Sequence, residues 1–279
     1  MKFTKMQGIG NDFVVVNAIE QALEEEQLPI ISRQMNDRKF GIGGDGLILV
    51  LPSKIAQFRM RMFNPDGSES EMCGNGIRCF AKYLYDRKLT TDSAFTIETL
   101  AGIKPVWLKV NGGKVESVRV DMGTPLLQRS EIPMRGDGNQ PVIGETLRAD
   151  GRKFEITCVS MGNPHCVIYE EKLETFPVGR YGPQIEHHVA FPKRINVQFV
   201  KVCSNSEIVL RTWERGAGET LACGTGACAS VVASVLNNRT GKKVLVHLPG
   251  GDLLVEWSGD NRVLMTGPAE EVFEGEIVL

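Results

Sequence analysis

The chain has 279 residues, 42% of them hydrophobic and 24% charged, the balance of a folded globular protein rather than a disordered or fibrous one. Its 32 Lys and Arg against 34 Asp and Glu leave a formal charge of -2, so no basic excess is available to neutralise phosphates and nucleic acid is not expected as a partner. The opening MKFTKMQGIGNDF lacks the apolar run of a signal peptide and no window reaches the length of a membrane span, which predicts a cytoplasmic protein with no membrane partner.

In chain order the predicted elements are mostly strands: FVVVN (13–17), LILVL (47–51), RMRMF (59–63), VIY (167–169), INVQFVKV (195–202), EIVLRTW from 207 and VLVHL from 244. Helices are expected at IRCFAKYLYDR and ACASVVASVL, each just after a glycine-rich cysteine motif. The second has so little polarity that it predicts a helix buried within a sheet. RGDGNQPVIG, from Arg135, reads as a surface loop of the second half.

This order repeats. MRMFNPDGSESEMCGNG (60–76) aligns without a gap on LRTWERGAGETLACGTG (210–226) at an offset of 150 residues, placing Arg61 on Arg211, Glu69 on Glu219 and Cys73 on Cys223. IGNDFVVVN over MGNPHCVIY puts Asn11 on Asn163, and Gly102 falls on Gly251. Three matches in the same order point to duplication of a half-molecule. The expectation is an α/β (α+β) chain of two pseudo-symmetric domains, 1–120 and 121–266, with the C-terminal strand 267–279 returning to the first.

The seven cysteines lack the Cys-x-x-Cys spacing of zinc or thioredoxin-type sites and are odd in number, so they read as thiols, each by default a small buried apolar residue. Cys73 and Cys223 stand apart, because each closes a loop as Cys-Gly-x-Gly just before an apolar helix. The first helical turn has amide protons with no internal partner, attracts anions and eases ionisation of a thiol. Two such thiols, expected to face one another across a cleft between the domains, would supply a base on one side of a tetrahedral carbon and an acid on the other. The substrate carboxylate would rest on the amides of Gly74 and Asn75 and of Gly224 and Thr225, and this scheme requires no pyridoxal cofactor. On the residues alone, CGNG and CGTG could instead be tight helix-starting turns with buried thiols.

NPDGSESEMCGNGIR (64–78) resembles the signature of the diaminopimelate epimerases, and WERGAGETLACGTGACA (213–229) is similar to that family's second cysteine motif. KMQGIGNDF at the start, VSMGNPH (159–165) and RINVQF (194–199) extend the resemblance over nearly the whole chain. It implies conversion of LL-2,6-diaminopimelate to the meso form without cofactor, in lysine and peptidoglycan precursor synthesis. It also implies a mixed sheet curled like a barrel around a central helix in each domain, and a homodimer. Carried over by position, Cys73 is the proton donor and Cys223 the proton acceptor. Asn11, Asn64, Gly74, Asn75, Asn163, Asn196, Gly224 and Thr225 match substrate-binding positions, and Glu214 and Arg215 match a charged pair for the substrate's ammonium and carboxylate. His165, with Glu214, matches a position important for activity. Two departures stand out: Gly46 where some members have glutamine, and Phe273 where some have a tyrosine at a dimer interface. Other two-base isomerases, such as proline racemases, hydroxyproline epimerases or phenazine-biosynthesis isomerases, are the alternative, together with a thiol redox sensor that is not an enzyme.

Overall fold

A computed structural model describes residues 1–278 and divides the chain into two units, Met1–Asp121 with the segment from Thr266 onward, and Met122–Met265. In the first unit β1 (Lys2–Gly8) and β2 (Asn11–Asn17) form a hairpin. Its turn places Ile9 and Gly10 at φ 52° and 88°, a left-handed pair that matches the twist of the strands. Helix α1 (Leu28–Asn36) leads to β3 (Gly46–Leu51), which lies parallel to β2. β4 (Phe58–Phe63) runs antiparallel to β3 and to the short β5 (Glu69–Ser70). After α2 (Gly74–Asp86), β6 (Ala94–Thr99) returns parallel to β4, and β7 (Gly102–Asn111) and β8 (Lys114–Gly123) continue antiparallel.

The second unit repeats this succession. β9 (Glu145–Ala149) pairs with β10 (Arg152–Ser160), which forms a hairpin with β11 (Pro164–Tyr169). α3 (Val178–Glu186) precedes β12 (Asn196–Ser204), parallel to β11, and β13 (Glu207–Glu214) runs antiparallel to β12 and to β14 (Gly218–Thr220). α4 (Gly224–Leu236) follows, then β15 (Lys243–Leu248), parallel to β13, and β16 (Gly251–Trp257), antiparallel to β15. β17 (Val263–Gly267) precedes β18 (Glu270–Glu276), which pairs antiparallel with β1 in the first unit. Leu279, the last residue of the expected returning strand, lies outside the described residues.

Both expected helices form, and each is surrounded by strands of its own unit: α2 touches β1, β2, β3, β4 and β7, and α4 touches β10, β11, β12, β15 and β16. Small residues on every side let α4 sit there. Its two serines satisfy their hydroxyls within the helix, Ser230 to Gly226 O and Ser234 to Ser230 O, both at 2.7 Å. α2 instead buries two cations with their partners. Arg78 donates to Gly74 O and Pro268 O at 3.0 Å, and Lys82 meets Asp86 at 2.9 Å.

Helices α1 and α3 lie where the sequence reading placed none. α1 carries an apolar stripe at Leu28, Ile31 and Met35, a helical spacing too short to stand out beside the acidic run before it. α3, VGRYGPQIE, has two glycines and an internal proline, and intrinsic propensity argues against it. Packing decides: Tyr181 stacks on Phe176 at 5.4 Å and meets Phe154 edge-on at 5.1 Å, within a core that includes Val178, Ile185 and Phe199. The segment from Arg135 is a loop, as expected, anchored by fully buried Val142. Among the described residues no helix is long and apolar enough to cross a membrane.

Candidate active site

Cys73 and Cys223 occupy the same place in their two units. Each is the N-cap of a 13-residue helix, with extended φ of -129° and -131°. The fourth residue of each motif is glycine where the helix turn presses on the side chains of the strand beneath it. A Cβ on Gly76 would stand 3.1 Å from Ile48 Cδ1, and one on Gly226 only 2.6 Å from Gln198 Nε2.

In the first unit, Cys73 Sγ accepts from Gly76 N at 3.5 Å and its thiol donates to Asn11 Oδ1 at 3.6 Å. Asn75 Nδ2 donates to the same oxygen at 3.1 Å, so Asn11, Cys73 and Asn75 meet at one point. The Asn11 amide is fixed from behind, its Nδ2 donating to Asp45 Oδ2 at 2.6 Å. Asp45 is paired with Arg38 at 2.8 Å, and Arg38 and Lys5 both reach Asp12 at 2.6 Å. Burial raises the Asp12 pKa, but the hydrogen bonds from Arg38 and Lys5 outweigh it and hold the carboxyl at about 2, so this support stays charged at neutral pH. Asn64 follows β4 directly and donates to Ser68 Oγ at 2.9 Å within its own turn. At Gly46 a side chain would meet Met62 Cε at 2.9 Å, so a methionine methyl fills the space above that glycine.

In the second unit, Asn196 ties two loops together: its Nδ2 donates to Pro164 O at 2.8 Å and its Oδ1 accepts from Arg215 N at 2.9 Å. His165 is fully buried on β11 and bonds Asn163 Oδ1 at 3.0 Å and Gln198 Nε2 at 3.1 Å. Burial, and then the nearby Arg215, push its pKa down to about 3, so the ring is neutral at physiological pH. Glu214 accepts from Thr220 Oγ1 at 2.6 Å, and Cys223 Sγ lies 3.7 Å from Thr225 Oγ1. The exposed Arg215 guanidinium donates to Lys193 O at 3.0 Å. The Glu214 to Gly216 segment is clamped by Glu186, whose carboxylate accepts from Trp213 Nε1 at 2.8 Å and from Gly216 N at 3.0 Å.

At Cys223 the ionisation balance runs opposite to what a helix N-terminus alone produces. Burial raises its pKa well above the ordinary thiol value, and the Glu214 carboxylate beside it raises it further, outweighing the hydrogen bonds from Thr225 and Gly226. Cys223 is therefore a thiol at neutral pH in this structure. Replacing Glu214 by Gln removes the repulsion, lowers that pKa and raises the thiolate fraction at a fixed alkaline pH. Alkylation of Cys223 by iodoacetamide at about pH 8, followed by peptide mass spectrometry, is expected to accelerate severalfold. An unchanged or slower rate at Cys223 would refute this role of Glu214.

The sequence reading did not single out Asp45, Arg38, Glu186, Gln198 or Thr212. One signal existed for Gln198, which shares a strand face with Asn196 at a spacing of two. Glu186 offered none, being one acid in a short helix beside two histidines. Among the described residues no group of three or more His, Cys, Asp or Glu side chains is placed to hold a metal ion.

The fold is shared with a crystallised phenazine biosynthesis protein of the PhzF family from Bacillus anthracis, at a TM-score of 0.72 and 20% identity, covering 100% of this chain and 99% of that one. Sequence relatives are far nearer. The chain is 55% identical to the diaminopimelate epimerase of Desulfitobacterium hafniense, covering 100% of this chain and 98% of the relative. It is 55% identical to that of Moorella thermoacetica over the full length of both. The model of the diaminopimelate epimerase family matches residues 3–127 and 157–272, which include both cysteine motifs and every other residue of the candidate site, and the chain belongs to that family.

Proposed function

We propose that this enzyme epimerises LL-2,6-diaminopimelate to meso-diaminopimelate with two cysteines, Cys223 removing the α-proton and Cys73 delivering one to the opposite face. The observation that carries the reading is the duplicated cap: two units of one topology each end a turn in a cysteine at the start of a strand-wrapped helix. Helix-start amides at Gly74 and Asn75 and at Gly224 and Thr225 would hold the α-carboxylate and the negative charge that develops as the proton leaves. Glu214 would take an ammonium. That contact offsets its repulsion of a thiolate, so substrate binding would itself ease ionisation of Cys223. Arg215, with Asn64, Asn163 and Asn196, would bind the far end of the substrate.

The reading needs no cofactor and requires both sulfurs to reach one carbon from opposite sides. It places the enzyme in lysine and peptidoglycan precursor synthesis in the cytoplasm. Homodimerisation belongs to the same proposal, and Val272 and Phe273 are exposed on β18. Incubation of purified protein with LL-diaminopimelate, followed by stereochemical separation, is expected to yield the meso form, while the DD isomer stays unchanged because its distal centre has the wrong hand. Inversion of proline or hydroxyproline with diaminopimelate untouched would overturn the substrate assignment.

A further inference from the structure

The two units are built alike, yet at one place they differ in kind. Position for position, β11, β12 and β13 correspond to β2, β3 and β4, with His165 equivalent to Phe13, Gln198 to Ile48 and Thr212 to Met62. The first unit fills these positions with three buried apolar side chains. The second fills them with three polar ones: Gln198 and His165 are fully buried and Thr212 is 1% exposed. An apolar trio satisfies this architecture, so the polar trio is not something the fold demands.

These polar groups form one directed chain across three adjacent strands. Thr212 Oγ1 donates to Gln198 Oε1 at 2.6 Å, Gln198 Nε2 donates to His165 Nδ1 at 3.1 Å, and His165 Nε2 meets Asn163 Oδ1 at 3.0 Å. A neutral imidazole has one donor and one acceptor nitrogen, so a donor at Nδ1 leaves the proton on Nε2, where it can only donate. Asn163 must then turn its carbonyl inward and its NH2 outward. Were Gln198 reversed, every bond in the chain would reverse and Asn163 would present a carbonyl instead. The reversal is opposed by the Thr212 hydroxyl: its oxygen could accept from a turned Gln198 Nε2, but its own buried proton would lose the Gln198 Oε1 acceptor it now has at 2.6 Å.

We propose that Gln198, held by Thr212, is a positioning residue that locks His165 in the Nε2–H tautomer and thereby makes Asn163 a hydrogen-bond donor, selecting a carboxylate over an ammonium at that point of the site. The inference rests on the epimerase reading for its substrate but not for its geometry. Because burial keeps His165 neutral down to about pH 3, the tautomer holds throughout the working range.

The test uses the whole protein with 15N-labelled histidine. In the wild type, the His165 signals are expected to show an unprotonated Nδ1 and a protonated Nε2. In Gln198→Leu, and in the nearly isosteric Thr212→Val should the first fold poorly, a mixture or the other tautomer is expected. KM for diaminopimelate should rise about tenfold or more, the scale of one lost hydrogen bond to a charged group, with a smaller change in kcat. Thr212→Ser, which keeps the hydroxyl, should restore both. A His165 tautomer unchanged in both variants, or a KM unchanged in them, overturns the proposal. If the wild type does not turn over diaminopimelate, the epimerase reading fails, while the tautomer of His165 in the variants still decides the relay.

Discussion

Replacing either Cys73 or Cys223 by Ala is expected to lower epimerisation by roughly three orders of magnitude or more, in both directions. A positioned acid or base is worth about 10²- to 10⁴-fold, and here both act in the same turnover, so loss of either stops the reaction. The isotope pattern in heavy water separates this scheme from a one-base mechanism. With two thiols, the substrate's proton leaves to one sulfur and a solvent-derived hydrogen arrives from the other. Early product then carries deuterium at the inverted carbon and recovered substrate does not. Cys79→Ala and Cys228→Ala are the controls. Both side chains are fully buried in α2 and α4, and burial pushes the Cys79 thiol up to about 12, out of reach of acid–base work. These variants should lose packing but keep turnover. Rapid deuterium uptake into recovered substrate, or near-normal epimerisation by Cys223→Ala, would show the two-thiol assignment to be mistaken.

Gly182→Ala is expected to destabilise the protein by about 2–3 kcal/mol, lowering Tm by roughly 5–10 °C, and to reduce activity with it. A Cβ there would sit 2.4 Å from Trp213 Cγ and 2.8 Å from Trp213 Cβ, so the tryptophan backbone side has to move, not merely the tip of a flexible chain. Trp213 leads directly into Glu214 and Arg215, and its indole bond to Glu186 belongs to the clamp that also holds Gly216. Gly179→Ala in the same helix meets nothing within 4 Å and should be neutral or stabilising by up to about 1 kcal/mol through helix propensity. Thermal unfolding of the two variants side by side makes the comparison. Equal Tm values would remove the assigned role of Gly182 as the seat of Trp213.

By itself the sequence marked β2, β3, β4, β11, β12, β13 and β15, the returning C-terminal strand, the two central helices, the internal repeat and the family, because each is written in local periodicity or in a gapless match, whereas β1, β5 to β10, β14, β16 and β17 did not stand out. CGNG and CGTG also marked the helix starts, since a cap and its glycines are contiguous in the chain. The histidine at 165 was legible as a position but not as a chemical state: only three neighbouring strands, from residues 165, 198 and 212, make it neutral and give its proton a direction. Helix α3 was invisible for a related reason, as its glycines and proline are tolerated only because distant aromatic rings pack on Tyr181. At Cys223 the local motif pointed toward easier ionisation, whereas burial and a carboxylate nine residues upstream point the other way and prevail. Desolvation is set by everything that surrounds a group, and most of what surrounds a buried thiol is remote in the chain, so that decision belonged to the tertiary structure alone.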